Sequence, residues 1–111
     1  MSKIKTACGP RDFYVEGAPI KGTKALLAVT REVIGNWDGL PSEGAAWKVT
    51  HVPTGYAFSG SWDERADAEA AGRALYARAD KQQLRSKTPE GALNAFDAET
   101  KRWWREQHHE S

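Results

Sequence analysis

Trp47-Lys48-Val49-Thr50-His51-Val52-Pro53-Thr54-Gly55-Tyr56-Ala57-Phe58-Ser59 is the stretch that decides the fold. Two alternating runs flank Pro53-Thr54-Gly55. Pro53 fixes φ at the first central turn position, and Gly55 supplies the left-handed conformation that closes the turn. The spacing predicts a β-hairpin. Side chains alternate along a strand, so Trp47, Val49 and His51 share one face and Lys48, Thr50 and Val52 share the other. The Trp47 face is expected to be buried and the Lys48 face wet. A one-residue slip would exchange the two faces, which makes the register firm.

Downstream, Ser61 and Glu64 have capping-box spacing, with Asp63 as a competing cap, and open a helix expected to reach Leu84. Ala68, Ala71, Gly72, Leu75 and Ala79 lie on one face of it, and small residues there let the helix sit close to a sheet. Glu69 and Arg73 form an i,i+4 pair in the favourable order. Thr88-Pro89-Glu90 then combines a cap, proline at the first helical position and an acid in the first turn, which starts a second helix over 88–108. Leu93, Phe96, Thr100 and Trp103 make its narrow apolar stripe, widened by Ala92 and Trp104.

Upstream, residues 1–12 read as an extended arm with Gly9-Pro10 as a breaker. Phe13-Tyr14-Val15-Glu16 reads as a short strand ended by Gly17-Ala18-Pro19. Residues 24–34 fit two readings. Leu26, Leu27, Thr30, Val33 and Ile34 follow helical spacing, while a strand through Ala25–Arg31 would give the hairpin the support it needs. The strand is preferred on that tertiary ground. Residues 35–46 read as a long, breaker-rich loop, the kind in which functional loops are over-represented. Together these readings give one domain over 1–111: an arm (1–12), a β-rich part (13–60) and helices at 61–84 and 88–108. The expected class is α+β, a small antiparallel sheet packed against a central helix, with a second C-terminal helix.

The chain has 111 residues and a net charge of +1 from 16 Lys+Arg and 15 Asp+Glu. A whole-surface field strong enough to drive nucleic-acid or membrane binding is absent, so any basic patch must be local. The one cysteine, Cys8, forms no intrachain disulfide. No apolar run has the length of a signal peptide or a membrane span, and a cytoplasmic protein with no membrane partner is the expectation. Five tryptophans stand out: Trp37, Trp47, Trp62, Trp103 and Trp104. A core this small is expected to leave some indoles partly exposed, and exposed tryptophan anchors binding surfaces.

The sequence carries few groups arranged for chemistry. The glycines at 35, 39 and 44 lack the ending of a phosphate-binding loop, and no dinucleotide fingerprint occurs. His51, His108 and His109 lack the converging partners zinc requires, so no metal or other cofactor is expected. Cys8 and His51 are the one conceivable nucleophile–base pair, but an arm does not position a nucleophile. Asp63, Glu64, Asp67 and Glu69 are explained by the macrodipole at a helix start. His51 reads either as a hydrogen-bonded histidine at the core edge or as a binding or pH-sensing group. The expectation is a protein that is not an enzyme.

Basic residues gather in three places: the first third of the chain, the turn at Lys81, Arg85 and Lys87, and Lys101, Arg102 and Arg105 beside the Trp103–Trp104 pair. Basic residues with aromatics suit phosphate contacts and base stacking.

From Trp47-Lys-Val-Thr-His-Val-Pro-Thr-Gly55 through the alanine-rich helix, residues 25–80 resemble small proteins encoded by phages and mobile elements. Some of these inhibit host machinery, anti-CRISPR proteins among them. The strand–strand–helix layout is also similar to the three-stranded DNA-binding domains of phage-type integrases and plant AP2 factors, whose outer sheet face enters the major groove. That likeness would place Lys48 and Thr50, with Arg31, on nucleic acid, although those sheets carry more arginine and lysine and this helix opens acidic.

The leading expectation is a non-catalytic protein-binding module, a phage-type inhibitor of a host protein or ribonucleoprotein complex. Its binding residues would be Trp37, Asp38, Trp103, Trp104 and Arg105. The alternative is a nucleic-acid-binding protein using Lys24, Arg31, Lys48 and Thr50 together with the basic arm.

Overall fold

The structure, a computed structural model, describes residues 2–8, 11–35 and 41–107. Four strands, β1 (Ser2–Cys8), β2 (Arg11–Pro19), β3 (Leu27–Gly35) and β4 (Pro41–His51), form one antiparallel sheet in chain order. Four helices follow: α1 (Arg65–Arg78), α2 (Lys81–Leu84), α3 (Pro89–Leu93) and α4 (Ala98–Glu106). The protein is α+β, with the central helix α1 lying on β3 and β4 and α4 packed at its side.

The Trp47 face is buried as the alternation requires. Leu27, Val29, Trp47, Val49 and His51 lie on it, each at most 5% exposed. Ala68, Gly72 and Leu75 of α1 close over them. Gly72 permits that approach, because a Cβ there would run into Ile20 Cδ1. Glu69 is held between Arg65 (3.3 Å) and Arg73 (3.5 Å) on the flank of the same helix.

The opposite face differs from expectation. Thr50 is fully buried and Lys48 half-buried, so this face is not wet. Val15, Gly17, Ala28, Thr30 and Thr50 on this face are all buried. A Cβ on Gly17 would lie 3.0 Å from Ile4 Cγ1 and 3.1 Å from Thr30 Cγ2. The buried hydroxyls of Thr30 and Thr50 satisfy each other at 2.8 Å.

Several boundaries also move. The residues read as an arm are β1, paired from Ser2↔Gly17 to Cys8↔Arg11. Their alternation of Lys3 and Lys5 with Ile4 and Thr6 is a strand pattern. β2 continues through Gly17 to Pro19 because its last three residues pair with β3. The 24–34 segment is a strand from Leu27, and it runs on to Gly35. The loop reading of 35–46 fails from Pro41 onward. Pro41–Ala46 belongs to β4, with a register irregularity opposite Glu32.

Both helices read as continuous are broken. The expected 61–84 helix is α1 and α2, separated at Ala79-Asp80, where Asp80 accepts from the amides of Gln82 and Gln83 and starts a new helix. At its start Glu64 is the N-cap and no side chain caps the first turn, so the Ser61–Glu64 capping box does not form. The expected 88–108 helix is α3 and α4. Thr88 caps the first as predicted, through the Gly91 amide, and Asp97 caps the second through the Thr100 amide.

Candidate functional site

The hairpin sets the site. Gly55 takes φ +77°, and the chain returns along β4 through His51 N–H to Tyr56 O (2.8 Å) and Phe58 N–H to Val49 O (2.9 Å). Trp47 and Trp62 then exchange both backbone bonds, at 2.7 and 2.9 Å. Between the bridges Thr50↔Ala57 and Trp47↔Trp62, five steps of the return segment match three of β4. The surplus bulges outward at Ser59-Gly60, where Gly60 takes φ +89°. The Ser59 carbonyl is thereby free to accept from Trp104 Nε1 at 3.0 Å.

That hydrogen bond fixes α4. Thr100 and Trp104, four residues apart, face inward and are buried. The Thr100 amide holds the Asp97 carboxyl below the usual carboxylate range, with Arg78 adding a smaller pull in the same direction. Trp104 packs edge-on against Trp62 (5.3 Å) and Phe58 (6.1 Å), and Phe58 packs edge-on against Phe96 (5.6 Å). Edge-to-face geometry places the positive ring edge on a negative face.

Rings held at steep angles leave space between them. An apolar cavity of about 310 Å³ opens between the return segment and α3–α4, floored by Phe58, Leu75, Phe96 and Trp104. A second, of about 170 Å³, lies beside it around Ala92, Tyr56 and His51. Ala57, Phe58 and Leu93 line both, so the two form one groove. Tyr56 (54% exposed) and Leu93 (50% exposed) stand on its rim. Lys101 and Arg105, on the adjacent stripe of α4, stand at the far end. Among the described residues, no carboxylate lines either cavity.

His51 closes the other end. Its Nε2–H donates to the Leu84 carbonyl (2.5 Å), which leaves Nδ1 to accept from the Thr54 hydroxyl (2.8 Å). This single side chain ties the hairpin turn to the end of α2. Burial pushes the imidazole below its ordinary value, opposed by the Leu84 hydrogen bond. The neutral tautomer is therefore the structural one.

The expected binding residues separate on this frame. Trp37 and Asp38 lie outside the described residues. Trp104 is 5% exposed and belongs to the core, and its ring also floors the larger cavity. Trp103 is half-buried beneath Arg78, whose guanidinium sits 4.0 Å above the ring. Arg105 is exposed on the groove rim. Of the described indoles, Trp62 and Trp103 stay partly exposed, as the small core requires, and two are sealed away. Trp47 and Trp104 are buried and Trp62 and Trp103 half-buried, because edge-to-face stacking and arginine lids cover them.

The alternative set is not one surface. Thr50 is buried, with its hydroxyl on that of Thr30. Arg31 pairs with Trp47 across the sheet, on the face opposite Lys48, and is occupied by the Trp47 ring (4.0 Å) and Glu16 (3.7 Å). Burial lowers the Lys48 pKa, with Glu32 opposing. Lys24 is exposed at φ +53° in the β2–β3 turn, apart from the others.

Tyr56 and Leu93 were not expected at a site, and Lys101 was expected only in a basic cluster suited to phosphate contacts. Leu93 falls on the inner stripe only if the second helix is continuous. The Asp97-Ala-Glu-Thr100 capping pattern was the available signal that α4 starts afresh and Leu93 is turned outward.

No family model, curated protein or solved structure matches the chain. No cluster of three or more potential metal ligands occurs among the described residues, and no helix there is long and apolar enough to cross a membrane.

Proposed function

We propose that the protein acts without catalysis, by binding a partner protein through the groove between the return segment and α3–α4. The observation that carries this reading is an open apolar groove rimmed by two half-exposed large side chains, Tyr56 and Leu93. Apolar pockets with a polar rim are the usual seat of interface anchors, and a few such anchors supply most of the binding energy. A cavity of about 310 Å³ holds one or two apolar side chains of a partner. The resemblance of residues 25–80 to phage-type inhibitors makes a host protein or ribonucleoprotein complex the first partner to test.

The test is affinity purification of tagged protein from its native cells, with and without nuclease. A partner retained after nuclease and lost in Leu93→Glu and Tyr56→Ala supports the reading. A partner held equally by both variants, each shown to be folded, removes the groove from the function. Nucleic-acid binding is the competing reading. It predicts affinity that falls steeply with added salt. Absence of a gel shift at low salt ends it.

A further inference from the structure

We infer that the groove takes an acidic, apolar peptide segment of the partner, lying with its carboxylates over Lys101 and Arg105 and its apolar side chains toward Leu93 and Ala92. This deepens the protein-binding reading and rests on it. The argument is charge complementarity along a directional groove. One end is closed by neutral polar groups, the His51 imidazole and the Thr54 hydroxyl, which already satisfy each other at 2.8 Å. The middle is apolar. The other end carries two cations four residues apart on one helix, so both project along the same edge. Both are exposed, and among the described residues neither is paired with a carboxylate. Three other arginines, by contrast, have partners: Arg78 lies on Trp103, Arg31 on Trp47 and Arg73 against Glu69.

A segment with Asp or Glu next to Leu, Phe or Met satisfies both parts at once. The apolar group displaces water from the floor formed by Phe58, Phe96 and Trp104. The carboxylate stays at the wet rim, where it chiefly sets orientation and association rate. A basic segment would place like charges together at Lys101 and Arg105 and is selected against.

The experiment pans a displayed library of random linear peptides on the full chain. Enriched peptides are then measured by fluorescence anisotropy against wild type, Lys101→Glu/Arg105→Glu and Lys101→Ala/Arg105→Ala. Exposed rim charges contribute little individually, so the alanine pair is expected to weaken binding by several-fold and the reversed pair by about tenfold or more. The expected selection is acidic–apolar sequences whose affinity falls with salt. Loss of affinity in Leu93→Glu and Tyr56→Ala locates them in the groove. Enriched peptides without acids, equal affinity for all three proteins, or no groove-binding peptide at all would overturn the inference. A partner captured from cells that depends on Leu93 but ignores Lys101 and Arg105 would leave the protein-binding reading standing and remove this one alone.

Discussion

Two interfaces hold the helices in place, and they are filled in opposite ways. α1 meets β3 and β4 closely at Ala68 and Gly72, where a Cβ added to Gly72 would collide with Ile20, and Leu75 reaches from there to the groove. α3 and α4 meet the return segment through Phe58, Phe96, Trp62 and Trp104, and a groove stays open. Small side chains let two backbones approach until nothing larger fits. Large planar ones hold elements apart, and their preferred angles leave gaps that other apolar groups can enter. The closed interface suits stability and the open one suits recognition.

The largest effect is expected at the point where the open interface is nonetheless structural. Trp104→Ala removes the ring that Phe58 and Trp62 pack against, and it leaves the Ser59 carbonyl without its indole donor. Truncating a buried aromatic costs about 3–5 kcal/mol. Chemical denaturation should show a loss of that size, a large part of the stability of a small domain. A loss below about 1 kcal/mol would mean that α4 is not anchored by this side chain, and the comparison would collapse.

The closed interface is probed by a single carbon. Gly72→Ala gains up to about 1 kcal/mol of helix propensity. It also forces Ile20, itself buried, out of its position. Overpacking of this kind costs about 1–3 kcal/mol, so a net loss of roughly 1 kcal/mol is expected. A net gain in denaturation midpoint would show that the α1 interface has slack, which would remove the contrast with the groove.

The same contrast explains what the sequence disclosed. Period-2 alternation in Trp47–His51 and the small-residue face of 68–79 report packing of neighbours on one element; the buried Trp47 face and the small-residue face hold, and the wet Lys48 face does not. The breaks at Ala79-Asp80 and Asn94–Asp97 depend on where helices meet one another. Asp80 N–H donates to Ala95 O at 2.7 Å, a tertiary contact that no local window contains. β1 went unread because Gly9-Pro10 suggested an end, whereas residues 3–6 already alternate. Of the site, Lys101 and Arg105 were legible as charges beside aromatics. The groove was not, because it exists only where the return segment, α3 and α4 come together.

His51 joins the two interfaces and gives an effect that depends on pH. Its native pKa lies below the ordinary value near 6.5 because of burial. The native state therefore binds fewer protons than the unfolded chain as pH falls through and below 6.5. Its contribution is fully present above pH 6.5 and is lost as pH drops through the lowered native value. One proton limits the slope to about 1.4 kcal/mol per pH unit. Denaturation midpoints between pH 7 and 5 should fall for wild type and stay flatter for His51→Gln. Parallel curves for the two proteins would show that the Leu84–His51–Thr54 link is not formed in solution.

The smallest effect is the most discriminating. Leu93 is half-exposed and Tyr56 more so, and neither fills the core that Trp104 fills. Leu93→Glu and Tyr56→Ala should change stability by no more than about 0.5 kcal/mol, the usual range for surface sites. The same substitutions should abolish or strongly weaken partner capture. Stability and binding would then separate within one interface, with Trp104 on one side and Leu93 on the other. Loss of more than about 2 kcal/mol in Leu93→Glu, a value typical of buried sites, would place this leucine inside the fold. The groove would then be closed in solution, and the molecule would have two closed interfaces instead of one of each kind.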